Sequence, residues 1–147
     1  EGRSGGVAIN MRSRHFSPEE ATGTLPLVRT IVDDVVRDYA ELSDLAAEYK
    51  RLRTMQERGE ETEGTLNGLK RRMAALSEEI DVYVAELTEI GCEMKDLRTG
   101  LVDFLSEMDG REIYLCWQVG EEAVEHWHEL TEGFAGRRPL PVTVPED

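Results

Sequence analysis

The chain contains no apolar run near the roughly 18 residues that a membrane-spanning helix needs. No secretory leader is visible at its start. A cytoplasmic location is therefore expected. Cysteine is scarce, with two residues in 147, and so is histidine, with three. Two thiols without metal-finger spacing, both in apolar surroundings, argue for buried reduced Cys92 and Cys116 rather than a disulfide framework. The phosphate loop, the dinucleotide fingerprint, the nucleophile elbow and the HExxH zinc motif are all missing. Positive charge is also in short supply. Lys and Arg total 17 against 31 Asp and Glu, a net charge of −14. Such a field repels phosphate backbones and anionic membranes, which excludes general nucleic-acid binding and membrane-surface binding.

What is present is helical periodicity. Phe16-Ser17-Pro18-Glu19-Glu20 reads as a helix start, with Ser17 as cap, Pro18 at the first helical position and Glu20 closing a capping box. Gly23 and Pro26 interrupt the pattern, and a new helix is expected from near Thr24. Val28, Val35, Leu42 and Tyr49 then recur every seven residues, flanked by Ile31, Leu45 and Leu52. Asp38 falls in that second row and reads as an edge position tilted to solvent. Buried beside a partner it would instead fix helix register. After the polar Arg58–Gly64 connection, Leu66, Leu69, Met73, Leu76, Ile80, Tyr83, Leu87 and Ile90 step by three and four without a break. Gly91 can supply the left-handed cap. Residues 50 to 72 hold seven basic residues against four acidic ones. That tip reads as a solvated helix end, or as a patch that steers an acidic partner.

Beyond Gly91 the period falls to two. Leu101–Glu107 and Arg111–Gln118 are rich in strand formers, and Asp109-Gly110 between them predicts a tight hairpin. That turn pairs Phe104 with Leu115 and Val102 with Trp117 on an apolar face, and Asp103 with Cys116 and Leu105 with Tyr114 on the other. A third short strand is expected around Glu93–Leu97. Glu121–Leu130 reads as a final helix, and residues 133 to 147 as an extended tail. On that helix Glu125 and His128 stand at i, i+3, the spacing of carboxylate–histidine metal sites in helical bundles. Asp103, Cys116, Glu125, His128 and Glu129 are the candidate ligands of a divalent zinc- or iron-type ion. A solvated face or a local salt bridge accounts for the same helical pattern. His126, advanced 200° from His128, would not share the ion. Trp127 reads as core.

From about Phe16 to Leu140 the sequence resembles a bacterial family known as the domain of unknown function numbered 2203. The likeness lies in His15-Phe-Ser-Pro-Glu-Glu-Ala21 with Leu25-Pro26, Lys95-Asp-Leu97, Gly100-Leu-Val-Asp-Phe104 and Asp109-Gly-Arg-Glu112. Leu115-Cys-Trp117, Gly120-Glu121, Trp127-His-Glu129 and Gly133-Phe-Ala-Gly-Arg137 complete it. It departs at Leu105, where the family pattern favours the proline of an edge strand. The resemblance implies no activity, cofactor or partner.

The expectation is an α+β protein: a flexible extension over residues 1–14, one domain over 15–140 and a tail over 141–147. Within the domain a long antiparallel, coiled-coil-like helical hairpin (24–91) carries a small β-hairpin head with a short C-terminal helix (92–132). Two apolar stripes on so thin a hairpin predict a homo-oligomer, most simply a homodimer, and a non-enzymatic interaction or scaffold protein. The alternative is a metal-binding protein or metal-dependent enzyme using the head.

Overall fold

A computed structural model describes residues 14–55 and 59–141. The expected extension over 1–14 and tail over 141–147 therefore lie almost wholly outside the described residues. Helix α1 (Pro18–Gly23) opens with the capping box complete: the Ser17 hydroxyl accepts from Glu20 N–H, and the Glu20 carboxylate accepts from Ser17 N–H. Thr24 breaks the helix, and α2 (Leu25–Arg53) starts at once with Pro26 in its first turn. Helix α3 (Glu60–Ile90) returns antiparallel and ends on Gly91 at φ 114°, the left-handed cap that glycine adopts freely.

Strands β1 (Cys92–Asp96), β2 (Leu101–Met108), β3 (Arg111–Gln118), β4 (His126–Glu129) and β5 (Arg138–Pro139) form one antiparallel sheet in sequence order. Asp109 at φ 53° and Gly110 at φ 80° make the expected turn. The pairing runs from Met108↔Arg111 to Leu101↔Gln118, with Phe104 facing Leu115 and Asp103 facing Cys116 as the sequence predicts. One face buries Val102, Phe104, Ile113, Leu115 and Trp117 against Phe16, Val28, Val32 and Leu87. The Phe16 and Phe104 rings meet edge to face at 5.2 Å. Burial of this order, at about 25 cal/mol per Å² of apolar surface, holds head and helices together.

Residues 121–130 differ from expectation. They form a turn followed by strand β4, not a helix. The Glu121 carboxylate accepts from Gln118 N–H, and its carbonyl accepts from Trp117 Nε1–H, which ties the segment into a turn. Val124 N–H then donates to the Thr22 hydroxyl, and β4 pairs with β3 on one side and β5 on the other. A short helical element does end the head, as a single 3-10 turn at Phe134–Gly136. The head thus has five strands among the described residues rather than two or three. Leu105 also has a local explanation. Pairing of β1 with β2 stops at Cys92↔Phe104, so the Leu105 carbonyl faces an open edge and accepts from Phe16 N–H at 2.8 Å. A proline, which lacks only a donor, fits such a place.

Asp38 is another correction. It is 4% exposed rather than tilted to solvent. Its Oδ1 meets Arg37 at 3.4 Å, and its Oδ2 has no hydrogen-bond partner among the described residues. No described helix is long and apolar enough to cross a membrane.

Candidate metal centre in the head

The sheet face turned away from the helices is polar where a sandwich would be apolar. Register fixes its membership. Side chains alternate along a strand, so Asp103, Cys116 and His126 form one row, and Leu105, Tyr114 and His128 the next. Asp103, Cys116 and His128 are each at most 1% exposed. One donor atom from each lies within 4.8 Å of the other two.

The histidine's orientation is decided by its neighbours. His128 Nδ1 stands 2.8 Å from the Glu129 carbonyl, which can only accept, so Nδ1 carries a proton and donates. Nε2 then faces both oxygens of Asp103, each at 3.1 Å. A lone pair on Nε2 aimed at a carboxylate requires a cation between them: a second ring proton or a metal ion. A tetrahedral ion with bonds of about 2.0 Å spaces nitrogen and oxygen ligands about 3.3 Å apart. Ring Nδ1–H bound to a backbone carbonyl is also the usual support of a metal-binding imidazole.

Two basic side chains flank the cluster. Lys95 Nζ donates to Asp103 Oδ2 at 3.2 Å and lies 4.1 Å from the centre of the Tyr114 ring. Burial works against the Lys95 charge, but the Asp103 carboxylate outweighs it and the lysine's pKa rises. Arg137 follows the 3-10 turn. It reaches Cys116 Sγ at 3.8 Å, donates to His126 Nδ1 at 2.9 Å and pairs with Glu121. Burial, then the Asp103 charge, push the Cys116 thiol up to about 12. At neutral pH it is a protonated thiol, unsuited to nucleophilic attack. Only a bound cation would displace that proton.

Of the five candidate ligands the fold gathers three. Glu125 sits in the turn before β4 and lines a separate cleft of about 770 Å³, with Pro18, Ser106, Ile113 and Val124, on the helix side of the sheet. Glu129 projects to the other face of β4 and pairs with Arg111 at 2.5 Å, which holds its carboxyl below the usual range. Glu125 was a candidate because a helix would have stacked it on His128, and Glu129 because it is adjacent in sequence; the strand brings neither to the His128 ring. Conversely, the strand places His126 on the same face as His128. Its Nδ1 accepts from Arg137, however, so that nitrogen is occupied. Lys95, Tyr114 and Arg137 were missed. The hairpin register already sets Tyr114 on this face, while the register of β1 and the return of the chain after Gly133 bring in Lys95 and Arg137. A smaller cavity of about 230 Å³ opens beside Asp103, Leu105 and Tyr114.

Comparison with other proteins adds little chemistry. A stretch of 82 residues, 56% of the chain, is 29% identical to an adenylosuccinate synthetase from Synechococcus sp. (strain WH7803). The match spans only 18% of that enzyme, so its activity does not transfer. No solved structure matches the chain. The family model for the uncharacterized conserved protein DUF2203 matches residues 14–140, covering arm and head alike, and the chain belongs to that family.

Proposed function

We propose that this is a metal-binding protein whose head holds a zinc-type divalent ion between Asp103, Cys116 and His128. The observation that carries the reading is the His128 ring. With Nδ1–H committed to the Glu129 carbonyl, its other nitrogen points at a buried carboxylate with a buried thiol in reach. A simple imidazolium–carboxylate pair needs no thiol. Lys95 on Oδ2 leaves Oδ1 for the ion, as a supporting residue does for a one-oxygen ligand. The near-complete burial of all three donors suits an ion that fixes the fold of the head better than one that turns over substrate.

The test is metal analysis of protein purified without a histidine tag from zinc-supplemented medium. Stoichiometric metal is expected in the native chain, with loss in His128→Ala and Asp103→Asn and retention in His126→Ala. Cobalt loading should give a sulfur-to-metal absorption band that Cys116→Ser removes. Metal-free native protein, or His128→Ala that still carries metal, overturns the proposal.

A further inference from the structure

Asp103, Cys116 and His128 offer three ligands, one short of the tetrahedron that a zinc-type ion takes. Among the described residues no fourth histidine, cysteine or carboxylate joins them within 4.8 Å. His126 shares their sheet face but stays outside that group, with its Nδ1 engaged by Arg137.

The surroundings say what kind of group completes the set. The three ligands stand on adjacent strands β2, β3 and β4 and rise from one face of the sheet. An ion that they share therefore turns its fourth vertex away from the sheet. Two cations flank the cluster from opposite edges: Lys95 on β1, and Arg137 just before β5. Lys95 Nζ stands 3.2 Å from Asp103 Oδ2, and Arg137 Nη1 stands 3.8 Å from Cys116 Sγ. Each is also held by a carboxylate of its own, Lys95 by Glu93 at 3.8 Å and Arg137 by Glu121. Neither cation can ligate a metal, because an ammonium or guanidinium has N–H donors and no lone pair. The group at the fourth vertex must give a lone pair to the metal and accept hydrogen bonds from cations. An anion does both.

Space limits its size. Each ligand is at most 1% exposed, and the cavity that reaches Asp103, bounded by Cys92, Glu93, Leu105 and Tyr114, is about 230 Å³. Pockets for organic ligands of ordinary size begin at roughly 300 Å³. A small inorganic anion fits, in keeping with an ion that supports the fold rather than one that turns over a substrate.

We propose, resting on the metal reading, that the fourth position on the ion is taken by a small inorganic anion lying between the metal and the Lys95 and Arg137 side chains. The anion enters by the cavity beside Asp103 and exchanges with solvent ions.

The experiment loads the whole chain with cobalt in chloride-free buffer and titrates it with azide. Cobalt content and the sulfur-to-metal band report the metal site itself. With both present, azide should shift the visible ligand-field bands saturably, at a single azide per cobalt. Lys95→Met saturated with cobalt should bind azide at least about tenfold more weakly, through the loss of a neighbouring charge. Lys95→Arg should recover most of the affinity. Protein that takes up no cobalt overturns the metal reading and this proposal with it. Cobalt-loaded protein whose spectrum azide leaves unchanged overturns this proposal alone, since the chain then closes the coordination itself. Undiminished azide affinity in Lys95→Met also overturns it, because the anion would then lie away from Lys95.

Discussion

The head and the arm are built from one chain by different means. In the head, tertiary packing closes on all sides. Phe16, Phe104, Ile113, Leu115 and Trp117 are at most 1% exposed, and even the polar Asp103 and His128 are enclosed with hydrogen-bond partners. In the distal arm, helical periodicity is stronger than anything in the head, yet burial stops at Asp38 on α2. Periodicity sets which residues face one way. Burial depends on whether something lies opposite. The distal arm has the pattern with Leu66 of α3 alone buried opposite it, and the head has the layer with a far weaker pattern.

The sharpest way to break this contrast is to remove the same kind of group from each part. Trp117→Ala should cost about 3–5 kcal/mol, enough to unfold most of the chain, because its ring is wholly enclosed and its Nε1–H donates to the Glu121 carbonyl. Chemical denaturation reads this directly. Leu76→Ala, fully buried between α2 and α3, should cost about 2–4 kcal/mol. Leu45→Ala, half-buried, should cost less than half of that at low protein concentration. Equal penalties at Leu76 and Leu45 in dilute solution would remove the contrast.

A second comparison lies within the turns. Gly100 at φ 75° has no room for a side chain, since an added Cβ would lie 2.4 Å from Val119 Cγ2 and 3.2 Å from Val32 Cγ1. Gly110 at φ 80° has open space around it. Gly100→Ala therefore combines strain and collision and should lower the melting temperature more than Gly110→Ala. The latter carries only the strain of a left-handed residue, about 1–3 kcal/mol. Similar melting shifts would mean that Val119 yields without cost.

What the sequence disclosed follows the same division. The β2–β3 register was legible in full, because Asp109-Gly110 fixes the turn and a period-two pattern fixes the faces. The helix ends at Ser17 and Gly91 were legible because caps are local chemistry. Strand β4 was not. His126-Trp-His-Glu129 is too short for its period to be decided, and Glu125 to His128 mimics a helical pair. Its conformation is set by β3, by β5 and by Arg29 donating to the Glu121 and Glu122 carbonyls, all distant in sequence. That single misreading is why Glu125 and Glu129 joined the candidate ligands and why the His-x-His alternation, which puts both rings on one face, went unused. Asp103, Cys116 and His128 lie together because the first two face each other in the hairpin register and the third projects to the same face.

The smallest expected effect tests the boundary between the two regions, where Asp38 meets Glu79. The neighbouring Asp38 carboxylate, by close side-chain approach and then by its charge, raises the Glu79 carboxyl above its ordinary range, and burial adds to this. Arg72 and Arg37 oppose the shift, and Tyr83 of α3 senses Asp34, Asp38 and Glu79 together. A carboxyl whose pKa is raised on folding stabilises the fold below its ordinary value of 4.5, and that stabilisation is lost as pH rises through the raised folded value. The arm should therefore gain a little stability as pH falls from 7 toward the upper carboxylate range, opposite to the loss expected for salt-bridged carboxylates such as Glu129, whose pKa is lowered. Glu79→Gln keeps a neutral hydrogen-bonding group beside Asp38, so it should raise the melting temperature slightly at pH 7 and flatten this part of the pH profile. Melting curves of both chains across that range decide it. No gain from Glu79→Gln at pH 7 would mean that the two carboxylates do not oppose each other between α2 and α3.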